Sequence, residues 1–173
     1  RELAGELGNL QAIHDRNGPT PESVMVNLIE RGASVCRVVN RNKHPYTPSG
    51  GTGFLVDPSD LREIIPDGES EDWQYPVLVT NNHVLSNDGL SPSVRVRHAD
   101  AIFDRGGQRF RVDKILWESP RTELDVSIAK LRWENRERPA TLPVSSDAQP
   151  LADCSNGESD EKIYVIGHPQ GRG

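Results

Sequence analysis

Cysteine and net positive charge are both scarce in this chain, and each shortage removes a class of protein. Only Cys36 and Cys154 occur in 173 residues. They permit at most one bridge and exclude the cysteine-dense framework of a small secreted scaffold. Lys and Arg number 20 against 26 Asp and Glu, for a net charge of -6. That balance argues against a nucleic-acid or anionic-membrane partner, because both need concentrated basic surface. No Lys/Arg run supplies such a surface, although a local basic patch is compatible with the composition. No stretch approaches the roughly 18 apolar residues of a membrane span, and Arg1 to Leu10 lack the apolar core of a signal peptide. Together with the two cysteines, these absences lead us to expect a cytoplasmic, reducing setting. A start at Arg1 rather than Met is also compatible with a signal removed from a longer parent.

What is present is turn chemistry and short apolar runs. Hydrophobic residues make up 34% of the chain, beside 15 Gly and 13 Pro, which predicts a modest core wrapped in long polar loops. At roughly 150 residues per domain, the length allows about one domain. Residues 1 to 21 are polar and end in the breaker cluster Asn17-Gly18-Pro19-Thr20-Pro21, after a short possible helix. Thr20 or Ser23 suits the cap of a second helix, whose apolar face is Val24, Leu28 and Ile29 and whose end is Gly32. From Ala33 the period becomes that of strands. Six short runs follow, over 34–39, 53–56, 77–80, 94–97, 110–116 and 126–131, with a last one at 162–167. Short strands separated by turns, without helical segments between them, predict an all-β fold, and an antiparallel barrel leaves the fewest edges to protect. The acidic stretch with Glu63, Asp67, Glu69, Glu71 and Asp72 reads as a solvated surface loop, with a regulatory or substrate-facing flap as the alternative.

Two segments carry chemistry. In Val77-Leu78-Val79-Thr80-Asn81-Asn82-His83-Val84-Leu85, an apolar strand delivers a histidine at its end. A strand end is a rigid place from which to present a base that titrates near neutrality. In Glu123-Leu124-Asp125-Val126-Ser127-Ile128-Ala129-Lys130-Leu131, an aspartate opens an apolar strand. A carboxylate there needs a partner to offset its desolvation, and an imidazole N–H would be one. Alone, the histidine reads as a surface or packing residue and the aspartate as a turn cap. Their order, His before Asp with two strands between, is that of a Ser-His-Asp triad of the chymotrypsin type.

Through these residues the sequence resembles the trypsin-like serine proteases, closest to their disulfide-poor, HtrA-like branch. Gly51-Thr52-Gly53-Phe54-Leu55-Val56 resembles the family's glycine-rich second strand, and residues 78–85 its histidine motif. Residues 125–131 resemble the aspartate motif, and Gly167-His168-Pro169-Gln170-Gly171 the Gly-x-Pro-x-Gly turn early in the second barrel. The resemblance implies a chymotrypsin-like two-barrel fold, with His83 as general base and Asp125 holding its tautomer. It divides the chain into a helical leader (1–32), a first β-barrel (33–145), and a linker with the start of the second barrel (146–173). The nucleophile is expected from a Gly-x-Ser-Gly-Gly loop of the second barrel, and no such loop occurs among the 48 residues from 126 to 173. This chain alone is therefore expected to be inactive, with a C-terminal segment carrying the serine as its partner, in the same chain or a separate one.

Other serines are weaker candidates. Ser49, in Pro48-Ser49-Gly50-Gly51, imitates a nucleophile loop but precedes His83 and runs into the glycine-rich strand. Ser127 reads as a strand residue, while Ser145, Ser146, Ser155 and Ser159 lack glycine-rich turns. The five histidines show no zinc-binding spacing, so no metal or cofactor is implied. The reading is a serine endopeptidase acting on protein or peptide substrates. Its alternatives are an inactive protease-derived binding module and a regulated subunit of a larger multidomain protein.

Overall fold

The computed structural model describes residues 10–11, 22–43, 50–61, 71–88, 93–104, 107–134, 136–144 and 165–167. In chain order these form β1 (Leu10–Gln11), α1 (Glu22–Gly32), β2 (Val35–Asn40), β3 (Gly50–Val56), β4 (Val77–Thr80), β5 (Leu85–Ser86) and β6 (Val94–Arg95). After these come β7 (Ala99–Phe103), β8 (Gln108–Ser119), β9 (Val126–Leu131) and β10 (Val165–Ile166). Six of the strands close into an antiparallel barrel in the order β2-β3-β4-β9-β8-β7. Among the described residues the fold is mostly β with one short α-helix near the N-terminus, the antiparallel barrel that the strand pattern predicts and consistent with the chymotrypsin-like fold that the resemblance implies.

Period-two patterning decides which face of each strand is inside. Leu55 on β3, Leu78 on β4 and Ala129 and Leu131 on β9 join Cys36, Val38, Phe103 and Phe110 in the main core. Their neighbours Val56, Val77 and Ile128 point the other way, into a second cluster with Leu61, against which Trp73 and Trp117 pack. The wall formed by β3, β4 and β9 is thus buried on both sides, which is why these strands read as nearly continuous apolar runs. Phe103 and Phe110 meet edge to face with centroids 5.9 Å apart, and Trp133 lies 4.9 Å beyond Phe110. Two irregularities in the β8–β9 pairing, between Val112 and Lys114 and between Ile115 and Trp117, bend the twelve-residue β8 around the barrel.

One expected strand is corrected. The alternation Val94-Arg95-Val96-Arg97 does not enter the barrel. Val94 and Arg95 pair parallel with Leu85 and Ser86, and Val96–His98 winds into a 3-10 turn. The barrel strand is Ala99-Asp100-Ala101-Ile102-Phe103, whose small and acidic residues hide a strand with Ala99, Ala101 and Phe103 inside. Its Asp100 is tolerated because Arg109, on neighbouring β8, pairs with it at 2.5 Å.

The second helix expected near Glu22 is α1, which Arg31 suits in its last turn by meeting the carbonyl end of the helix. The short helix expected within residues 1–21 falls largely outside the described residues, apart from β1, which pairs antiparallel with β10. The last strand is described only as Val165–Ile166. Most of the acidic stretch, residues 62–70, also lies outside the described residues. Its end is tied down, for Asp72 meets Lys114 at 2.5 Å and Lys130 at 2.9 Å.

Candidate active site

The site is built where β4 ends and β9 begins, since these neighbours run antiparallel with Thr80 opposite Ser127. Asn81, Asn82 and His83 therefore turn over the end of the barrel beside Asp125. The turn closes on itself, with Val84 N–H and Leu85 N–H both donating to the Asn81 carbonyl, at 3.0 and 3.1 Å. Beneath it the glycine-rich strand supplies room. A Cβ on Gly51 would stand 2.6 Å from a methyl of Val84, so only glycine lets the segment after His83 settle onto β3. Gly50, where β3 starts, has φ +121° and lies against the Val38 carbonyl, a conformation and a contact that a side chain would forbid.

Asp125 meets His83 through both carboxylate oxygens. Oδ2 lies 2.6 Å from the ring Nδ1, and Oδ1 accepts the backbone N–H of His83 at 2.9 Å. The residue adopts φ +53°, a left-handed conformation that Asp tolerates better than most side chains. Its backbone is fixed on both sides. Its N–H donates to the Pro120 carbonyl at 3.1 Å, while its carbonyl accepts Asn82 N–H and Asn81 Nδ2, each at 3.1 Å. The strained turn is thereby over-determined, as a conformation of this kind must be in order to persist.

The electrostatics favour an ionised carboxylate. Partial burial works to raise the Asp125 pKa, but the hydrogen bonds from the His83 ring and backbone, with the charges of His83 and Arg121, outweigh it and hold the carboxyl below its ordinary value. An ionised Oδ2 accepts, so the proton between the pair belongs on Nδ1 and the lone pair of the neutral ring on Nε2. The Asp125 side chain is 23% exposed and that of His83 39%. The carboxylate is sheltered while the ring remains open to solvent, an arrangement in which Nε2 can take a proton from an incoming group.

The two residues singled out in the sequence are therefore brought together. Four that sequence reasoning did not single out as site residues brace them. Asn81 holds the Asp125 carbonyl. Asn82 Nδ2 reaches both Glu118 Oε2 and Ser127 Oγ, each at 3.2 Å. Ser127 is fully buried and donates to the Leu85 carbonyl at 2.7 Å, which gives it a bracing role inside the barrel. The available signal was the run of two asparagines before the histidine and a serine on an otherwise apolar strand. Ser49, Ser145, Ser146, Ser155, Ser159 and His168 lie outside the described residues. Among the described residues no group of three or more His, Cys, Asp or Glu could hold a metal ion. No described helix is long and apolar enough to cross a membrane.

Comparison with known proteins adds one finding. A family model described as a trypsin-like peptidase domain matches residues 51–173, a span that runs from the glycine-rich β3 through both site residues. No curated protein matches the chain.

Proposed function

The chain belongs to the trypsin-like peptidase family, and we propose that it forms part of a serine endopeptidase in which His83 is the general base and Asp125 orients it. The observation that carries this reading is the two-point contact, with Nδ1 2.6 Å from Oδ2 and the His83 N–H 2.9 Å from Oδ1. It holds one tautomer and one ring orientation, which is what a base needs before a nucleophile arrives.

In the proposed reaction a serine hydroxyl gives its proton to His83 Nε2 as its oxygen bonds to the scissile carbonyl carbon. The imidazolium, stabilised by Asp125, then returns that proton to the leaving amine as the C–N bond breaks. Water hydrolyses the resulting acyl-enzyme by the same route in reverse. No Gly-x-Ser-Gly-Gly segment follows Asp125 in the 173 residues. The serine and the oxyanion donors are accordingly proposed to come from a second barrel supplied outside this sequence, with a protein or peptide as substrate. A cytoplasmic setting belongs to the same proposal. It is supported by the small number of cysteines, of which Cys36 is a buried thiol outside any disulfide.

The test is fluorophosphonate labelling of this chain together with a second-barrel polypeptide carrying the serine loop. One serine is expected to label, and His83→Ala is expected to abolish the labelling. Labelling of no serine, or labelling indifferent to His83→Ala, would overturn the reading in favour of an inactive scaffold.

A further inference from the structure

Apart from the His83–Asp125 pair, the structure carries a cavity of about 530 Å³, bordered also by Asn87, whose side chain donates to Glu118, that the peptidase reading does not use. Five cationic side chains line it: Arg41, Arg97, Arg111, Lys114 and Arg132. They come from four parts of the chain. Arg41 follows β2, Arg97 lies in the 3-10 turn before β7, Arg111 and Lys114 are on β8, and Arg132 follows β9. The backbone holds these segments together, through Arg41 N–H to the His98 carbonyl at 2.9 Å and Arg132 N–H to the Arg111 carbonyl at 2.9 Å. The fold thus assembles a basic concavity that no run of the sequence contains, on a chain whose net charge is -6.

The carboxylates nearby leave part of this charge unanswered. Arg132 pairs with Asp113, which also lines the cavity, and Lys114 pairs with Asp72. Arg41 lies 3.8 Å from Asp100, whose closer partner is Arg109, and also donates to the Arg97 carbonyl. Arg97 and Arg111 form no ion pair among the described residues. Val112 and Val96 supply apolar wall between the charges. A volume within the range of small-molecule sites, with four arginines and a lysine in its lining against one carboxylate, Asp113, specifies a compact ligand with several negative charges.

We propose that this cavity binds an oligophosphate, either free or as the phosphate tail of a nucleotide. Guanidinium forks match phosphate oxygens two at a time, and a chain of adjacent phosphates concentrates enough charge to answer several cations at once. A single carboxylate would leave most of them unmatched. This site is independent of the peptidase reading, and its test reads binding alone.

The test is calorimetric titration of inorganic tripolyphosphate into the 173-residue chain in metal-free, low-salt buffer. Saturable binding of one ligand per chain is expected. Arg97→Ala with Arg111→Ala should weaken it about tenfold or more, whereas Arg31→Ala with Arg138→Ala, an equal change in net charge outside the cavity, should alter it less than about twofold. Both cavity residues are exposed, so the fold should survive. Arg111→Lys, which keeps the charge but loses the fork, supplies a second variant expected to bind several-fold more weakly. Adenosine triphosphate binding well above tripolyphosphate would identify a nucleotide source, and equal affinity a free oligophosphate. No saturable binding, equal weakening in the two double variants, or tighter binding of a triglutamate peptide than of tripolyphosphate would overturn the proposal.

Discussion

Strand β9 is entered at Asp125 and left at Arg132, about 20 Å apart along a six-residue strand, and its two ends are held by opposite means. At Asp125 both carboxylate oxygens, the backbone N–H and the carbonyl all have partners, and the neighbouring Asn81 and Asn82 are bonded in turn. At Arg132 a single exposed ion pair with Asp113 borders a cavity in which Arg97 and Arg111 form no ion pair among the described residues. The first end is preorganised around an internal pair, and only the far ring nitrogen is left to act. The second has surplus charge and open volume, so what it lacks is a partner from outside. Preorganisation of this kind suits chemistry, and surplus charge suits binding.

Substitutions can break or sharpen this contrast. The largest effect is expected for His83→Ala in the assembled protease, a loss of about 10⁶-fold in kcat. Asp125→Asn should follow with about 10⁴-fold, because an amide can present N–H to Nδ1 and reverse the tautomer. Peptide hydrolysis under single-turnover conditions measures both, and retention of most activity by either variant would remove the pair from the mechanism. In the core that joins the ends, Phe110→Ala should cost about 3–5 kcal/mol of stability by urea unfolding, since the ring is buried between Phe103 and Trp133.

The pH dependence should come from the Asp125 end. Its folded pKa is lowered, so its stabilising contribution is fully present above the unfolded value of about 3.9 and is lost as pH falls through the lower folded value. The part of the stability difference between the chain and Asp125→Asn that comes from the Asp125 titration should therefore be intact at mildly acidic pH. It should shrink only below about pH 4. Smallest of all, Arg132→Ala should change stability by less than about 1 kcal/mol, because its pair with Asp113 is exposed. A larger loss would mean that the two ends of β9 are held alike.

The same contrast separates what could be read in the sequence from what could not. His83 and Asp125 were legible because each sits where an apolar run meets a polar turn, and their order fits a known pairing. The barrel was legible because β2, β4 and β9 are short runs rich in apolar and β-branched residues, bounded by polar turns. Strand β7 was not, because Ala99, Asp100 and Ala101 carry little strand signal and their burial depends on Phe103 and Arg109. The preceding Val94 to Arg97 mimics a strand at the level of pattern alone. The bracing by Asn81, Asn82, Glu118 and Ser127 was invisible for another reason. Asparagine before a turn and serine on a strand have many ordinary explanations, and only register brings them together. The basic cavity is the extreme case, since its arginines are spread from residue 41 to residue 132.

The central claim, that Asp125 holds His83 ready as a base, can be tested on this chain without any nucleophile. Nitrogen-15 NMR of the His83 ring at alkaline pH, where the imidazole is neutral, reports which nitrogen carries the proton. The proton is expected on Nδ1, far downfield and bonded to Asp125, with Nε2 bare, and that signature should be lost in Asp125→Asn. A neutral ring protonated on Nε2, or a ring exchanging freely between tautomers, would contradict the claim.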